Sequence, residues 1–267
     1  MIRVSDIIQA IEDFAPLRLQ EPWDNTGLQV GDASAECTGV LLCVDVTEDI
    51  IAEACRRGCN MVVSHHPLLF KGLKSITGAT VVERAVIAAL RSGVAIYSSH
   101  TAMDSTHGGV SHEMAKRLGA RVSAVLSPIA ADAGDDAVGL GVVADFDVAI
   151  SRRLFIDRVK AAFGSPIVRS TQPVAPDVEI HRIAMCGGAG GEFIAKAVAA
   201  GAQAYITSDT RYHDFVDYRH SIWIIDIGHY ESECCTKDIF YRVISEKIPN
   251  FAVYYSDTED NPIKYIK

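Results

Sequence analysis

Apolar residues first recur at helical spacing: Ile7, Ile8, Ile11 and Phe14 form one stripe behind the capping residue Ser5, and Pro16 bars further turns. The pattern then changes to an unbroken apolar run, GVLLCVDV from Gly39 to Val46, as a strand buried on both faces requires. Thr47 follows as a helix cap, with Glu48 and Asp49 in the first turn and Ile50, Ile51, Ala54 and Cys55 as the inner face. Gly58 ends that helix and MVVS opens the next strand. The same texture recurs in RRGCNMVVSHH, RSGVAIYSSH, AAGAQAYITSD and YRHSIWIIDIGH, where a helix end leads into a short apolar strand finishing in Ser, His or Asp. Such alternation predicts parallel β-α-β units, and polar residues at the carboxyl ends of parallel strands collect along one edge of a sheet. The four strands are expected to share one rim.

Between about Val122 and Pro176 the texture changes: DAGDDAVGLGVVADFD and STQPVAPDVE supply turn residues around a helix predicted from Ser151 to Phe163. The stretch EIHRIAMCGGAGGEFIAKAVAAGAQAYITSD then reads strand, Gly-rich turn, helix and strand, as a diverged echo of the first part. A helix from Glu231 to about Lys247 and the strand FAVYYS close the chain. The expectation is an α/β fold of two similar lobes built mainly from parallel β-α-β units. Residues 1–124, with 235–267 packing back onto them, form the first lobe, and 125–234 the second.

Composition excludes some functions. The 267 residues are 49% hydrophobic and 22% charged, enough for one large core or two intimate ones. With 34 acidic against 25 basic residues the net charge is -9, which argues against a sequence-independent grip on nucleic acid or anionic lipid. No apolar run approaches the ~20 residues of a membrane span. The opening MIRVSDIIQAIEDF is amphipathic and acidic rather than basic, so a cytoplasmic protein without membrane association is expected. Seven cysteines, odd in number and lacking a C-x-x-C pair, predict buried thiols rather than disulfides.

The candidate chemistry lies at the strand ends. His65 and His66 follow MVVS, and adjacent side chains of an extended segment point to opposite sides, so the pair suits two neighbouring metal ions better than one. Taken alone, a His-His pair is more often a solvated loop. Two further fragments add weight: SSHTAMD, with His100 and Asp104, and DIGHYESE, where His229 and Glu233 stand four apart on a helical turn with Cβ atoms ~6 Å apart. Together they form a His/Asp/Glu cluster without cysteine, which suits borderline-to-hard divalent ions.

With EPWDNTGLQVGD, VDVT, SHHPLLF, SHTAMD, CGGAGG, ITSDTRYHDF and DIGHYESE in this order, the sequence resembles, end to end, the GTP cyclohydrolase 1 type 2 homologues, also called the Nif-three-like dinuclear-metal proteins. The resemblance is to the short form, without a long central insertion, and Arg211 stands where a lysine is expected. It implies a dinuclear metal site in the cleft between the lobes. In it, His65, Asp104 and Glu233 bind one metal, and His66, His229 and the same bridging Glu233 bind the other. It also implies a homohexamer, a toroid with metal sites facing an internal cavity.

Two divalent ions per chain (zinc, iron, manganese, nickel or magnesium) held by three imidazoles and two carboxylates retain positive charge, and water or hydroxide fills their open positions. Hydrolysis of a small nucleotide-like or phosphorylated substrate is the chemistry expected. A metal carrier or regulatory protein acting through partners is the alternative, and a ring around nucleic acid is disfavoured by the charge. Two further histidines are candidates for a catalytic role: His213 as a substrate contact or general acid, with a helix-surface role as its alternative, and His100, outside the ligand set, as a group orienting a ligand or a water, with a structural role as its alternative. Trp23 and Asp24 lie in a loop that is either an Asx-type turn or a substrate lip. CGGAGG matches no phosphate-loop pattern and is read as tight packing, and Lys71 and Lys74 as loop residues that can steer an anion.

Overall fold

A computed structural model describes residues 1–129, 137–173 and 179–266; the turn-rich residues 130–136 and 174–178 lie outside the described ones. The chain divides into two compact units, Met1–Thr106 with Thr236–Lys264, and His107–Cys235 with Tyr265 and Ile266. In chain order the first supplies α1 (Val4–Phe14), β1 (Gly27–Val30), β2 (Val40–Cys43), α2 (Glu48–Arg56), β3 (Met61–Ser64), α3 (Val81–Ser92), β4 (Ala95–Ser98) and α4 (Thr101–Ser105). The second supplies α5 (Val110–Leu118), β5 (Arg121–Pro128), β6 (Gly139–Ile150), α6 (Arg152–Phe163), β7 (Arg169–Ser170), β8 (Ile180–Ala189), α7 (Ile194–Ala199), β9 (Ala204–Ser208), α8 (Tyr212–Tyr218), β10 (Trp223–Asp226) and α9 (His229–Glu233). Then α10 (Thr236–Lys247) and β11 (Val253–Tyr255) return to the first.

The first sheet has the order β1-β4-β3-β2-β11, parallel throughout except for β1, which runs antiparallel to β4. Every residue of VLLC, MVVS and AIYS is buried, as continuous apolar runs require. Leu41, Val62 and Ile96 pack with Ile50, Ile51 and Ala54 of α2 and with Ala85, Val86 and Ala89 of α3. Each large aliphatic side chain buried here stabilises the unit by about 1.5–3 kcal/mol. Thr47 and Thr80 cap the two helices by accepting the N–H of Ile50 and Glu83. Gly93 ends α3 in the left-handed conformation (φ 65°).

Three details depart from the sequence reading. α1 starts at Val4, and its cap is the Asp6 carboxylate accepting the Arg3 N–H (2.8 Å), so Ser5 lies inside the first turn. Its buried stripe is Val4, Ile7, Ala10 and Ile11, which leaves Ile8 and Phe14 half-buried. On α2 the inward position expected for Cys55 belongs to Glu53, because Glu53 is held there by bonds from Ser256 Oγ and the N–H groups of Asp257 and Thr258, and Cys55 is exposed. Burial opposes ionisation of that carboxyl, but these bonds win and lower it to about 2. All seven thiols are free, five of them buried.

The second sheet has the order β5-β6-β8-β9-β10-β7, with a parallel core β8-β9-β10 extended by antiparallel β5, β6 and β7. The protein is thus a mixed α/β structure with two sheets. Consequently the four strand ends fall on two rims rather than one: β3 and β4 end in the first sheet, β9 and β10 in the second. The cause is the long β5–β6 pair, which binds β8 on its antiparallel side and so founds a separate sheet. CGGAGG is a bulged strand end, with the register shifting between Met185 and Ala189, and not a simple turn. α6 begins after Ser151, whose hydroxyl accepts the Leu154 N–H. The single closing helix expected from Glu231 is two helices, α9 and α10, broken at Cys234–Cys235 where the chain leaves the second unit. Among the described residues no helix is long and apolar enough to cross a membrane.

Candidate metal centre

In the first unit, β3 ends where the β2 strand end still holds the chain: His65 N–H donates to Cys43 O (3.2 Å) and His66 N–H to Val44 O (2.9 Å). The backbone bends at both histidines, so they do not splay to opposite sides as an extended pair would; their ring centroids are 5.1 Å apart. The neighbouring parallel strand β4 delivers Ser99 and His100, and the His100 ring lies 5.2 Å from that of His65 and 5.5 Å from that of His66. One ring nitrogen from each of the three lies within 4.8 Å of the others. These groups can hold a metal ion. Asp104, on α4, has its Oδ1 3.8 Å from His65 Nε2.

Each ring is oriented from behind. His65 Nδ1 faces Ser99 O (3.1 Å), His66 Nδ1 faces Asp45 Oδ1 (2.8 Å) and His100 Nδ1 faces Asp24 Oδ1 (2.8 Å). In a neutral imidazole whose Nδ1–H is donated to oxygen, Nε2 becomes the ligating nitrogen, the arrangement found behind metal-bound histidines. Asp24 does more than orient His100. It accepts the Thr101 N–H (3.0 Å) and hydroxyl (2.5 Å), the Thr26 hydroxyl (3.1 Å) and the Asn25 N–H (2.7 Å), and so ties the Trp23 loop to the start of α4. Burial alone would raise the Asp24 carboxyl, but the bonds from His100 and Thr101 outweigh it and hold the group well below the usual carboxylate range.

The second unit repeats the device with different donors. Directly after β9 comes Asp209, held at φ 52° in the left-handed region, and its Oδ2 lies 2.6 Å from His229 Nδ1. His229 Nε2 lies 2.9 Å from Glu233 Oε2, one helical turn on in α9. An imidazole that gives its Nδ1 proton to Asp209 meets the Glu233 carboxylate with a lone pair, and such a juxtaposition calls for a proton or a cation. Glu233 is 3% exposed. It fits because residue 188 has no side chain: a Cβ there would stand 2.2 Å from Glu233 Oε1. Of the glycines read as tight packing, Gly187 and Gly188 thus lie against the Glu233 side chain, whereas Gly190 lies against Thr207 and Tyr205.

His213 lies on α8, exposed, with its ring edge-on to Tyr212 at 5.4 Å. Arg211 begins that helix, its N–H donating to Asp214 (2.7 Å), and lines a pocket of about 390 Å³ beside Asp209. Lys71 and Lys74 are exposed. Sequence reasoning missed Asp45, Asp209 and the cradle at Gly188. Asp45 and Asp209 follow apolar runs in VDVT and ITSD, so the strand-end rule that found the histidines covers them as well.

Fold and site define a mixed α/β protein with an imidazole- and carboxylate-lined candidate metal centre. A family model, Duf34/NIF3 (NGG1p interacting factor 3), matches residues 2–262, and the chain belongs to that family. It is similar to the GTP cyclohydrolase 1 type 2 homolog of Clostridium acetobutylicum, with 35% identity over 236 residues, 87% of this chain and 85% of that protein. The namesake from Lactococcus lactis is 34% identical over 267 residues, 98% of each chain. Among solved structures, Staphylococcus aureus protein SA1388 superposes with a TM-score of 0.88 at 26% identity, covering 99% of both chains.

Proposed function

We propose that the protein is a metal-dependent hydrolase of a small nucleotide-like or phosphorylated substrate. In this reading His65, His66, Asp104, His229 and Glu233 hold two divalent ions, with Glu233 serving both. The observation that carries it is the set of oxygen partners behind the histidines, Ser99, Asp45 and Asp209 for the ligand rings and Asp24 for His100. Surface histidines have no need of such fixed orientation. The mixed nitrogen and oxygen donors suit zinc, iron, manganese, nickel or magnesium. Divalent ions held there supply Lewis acidity and activate water near neutral pH. The chain's own residues do the rest: Asp45 and Asp209 fix the tautomers of His66 and His229, Gly188 makes room for Glu233, and His100 presents Nε2 for a proton or a substrate oxygen. The shared name of the relatives points to a nucleotide-like substrate. We carry over from the family resemblance a homohexameric ring acting in the cytoplasm, which light scattering of the purified protein tests.

The functional test is metal content per chain in wild type and Glu233→Ala, followed by a nucleotide and phosphoester hydrolysis screen on both. About two ions per chain with turnover, both lost in the variant, supports the hydrolase. Metal without turnover across the screen transfers the site to a carrier or regulatory role, and no metal removes the assignment.

A further inference from the structure

Beside the His100 ring the first unit has an open groove of about 670 Å³, within the range of small-molecule sites. Trp23, 57% exposed, and Phe70, 48% exposed, stand at its mouth with ring centroids 6.0 Å apart, edge to face. Val30, Leu69 and Val86 contribute to its walls. Two large aromatic rings left in water beside one another are unusual on a surface that has no use for them.

Through Trp23 and Phe70 the groove lies next to the candidate metal centre. The His100 ring lies 6.0 Å from Trp23 and 6.3 Å from Phe70 on one side, and 5.2 Å from His65 and 5.5 Å from His66 on the other. The two aromatic loops are also stapled together. Asn25 Nδ2 donates to Leu69 O (2.7 Å), Leu69 N–H donates to Gln29 Oε1 (3.1 Å), and Gln29 Nε2 donates to Asn25 O (2.7 Å). Asp24 anchors the same loop to α4. A rigid aromatic mouth costs little entropy to engage. The stapling has a second consequence: both ends of the Gln29 amide and the Asn25 amino group are spent on the loops, so what the groove mainly offers a ligand is ring faces and aliphatic walls.

We infer that this groove is the subsite for a planar aromatic or heteroaromatic ring of the molecule handled at the histidine cluster, and that it takes the ring by stacking without reading its edge. The inference rests on the proposed function for which molecule is processed, while the groove itself is tested by binding alone. The substrate class is then an aryl or nucleobase compound whose scissile group reaches past His100, with little discrimination among bases.

The experiment measures binding of AMP, GMP and ribose 5-phosphate to the full-length, metal-loaded protein by calorimetry and by quenching of tryptophan emission, to which exposed Trp23 and buried Trp223 contribute. AMP and GMP should bind within about threefold of each other and about 10–100-fold more tightly than ribose 5-phosphate, as expected for base–aromatic stacking. Trp23→Ala and Phe70→Ala should each erase most of that advantage in calorimetry, with circular dichroism and metal content unchanged, and Trp23→Phe should restore it. Equal affinity for all three compounds, an advantage that survives both alanine variants, or strong preference for one base would each overturn the inference. Absence of metal or of turnover bears on the hydrolase reading alone, because the binding comparison needs no reaction.

Discussion

The two units solve the same problem with opposite chemistry. In each, a pair of adjacent parallel strands, β3 and β4 or β9 and β10, ends in polar residues, and an aspartate fixes a histidine through Nδ1. The first unit gathers three imidazoles with ring nitrogens within 4.8 Å of one another, a nitrogen-rich set with Asp104 Oδ1 3.8 Å from His65 Nε2. The second offers one imidazole against a buried carboxylate. A repeated scaffold therefore does not imply repeated function. The first unit's donors suit directional binding of a borderline ion, and the second unit's carboxylate suits holding charge.

This contrast can be broken experimentally. The largest effect is expected for Glu233→Ala, which removes the buried carboxylate of the second unit's cluster: bound metal should fall by at least half and any hydrolysis by about a thousandfold or more, measured by elemental analysis and initial rates. Gly188→Ala should reach a similar end indirectly. Its φ of 64° disfavours a side chain and its Cβ would strike Glu233 Oε1, so we expect about 2 kcal/mol of destabilisation or more in denaturant titrations, together with metal loss. The matched pair Asp209→Asn and Asp45→Asn sharpens the comparison. Each should weaken metal affinity by about 10–100-fold, because each aspartate fixes the tautomer of one imidazole in the proposed ligand set, and a loss confined to one of them would show that the two units contribute unequally.

The smallest effect concerns stability. His112 on α5, half-buried against His107 with rings 4.8 Å apart, is lowered to about 4, first by burial and then by the neighbouring ring. Between pH 6.5 and 4 the unfolded chain binds the proton that the folded chain refuses, so stability falls as the pH falls through that window. His112→Gln should flatten this dependence by about 1–2 kcal/mol, read from urea midpoints at pH 7 and pH 4.5.

What was legible in the sequence follows from range. GVLLCVDV, MVVS and VAIY announce themselves because a strand covered on both faces must be apolar throughout, and the polar residues that follow mark where cover ends. The candidate histidines and carboxylates follow such strand ends, while the choice of ligands among them came from the family resemblance. The second sheet's antiparallel strands were not, since β5 and β6 are joined to β8 by pairings that no local pattern encodes. Glu53 displaced Cys55 from the inner face of α2 because its partners, Ser256 to Thr258, lie some 200 positions away in the chain. The bend at His65–His66 likewise depends on bonds to β2 rather than on the dipeptide, so extended-chain geometry gave the wrong directions for the two rings.

The interleaving of the units also orders events at the ribosome. β11 completes the first sheet beside β2, yet every helix and strand of the second unit, within His107–Cys235, is translated before it. The second unit can thus close around its own sheet while β2 still presents a bare edge, and the first unit waits for the segment that Glu53 holds in place. For that interval the nascent protein is half finished in the reverse of its chain order, with an apolar strand open to wrong pairing. Its yield in the cell should accordingly depend more on chaperone supply than its final stability would suggest.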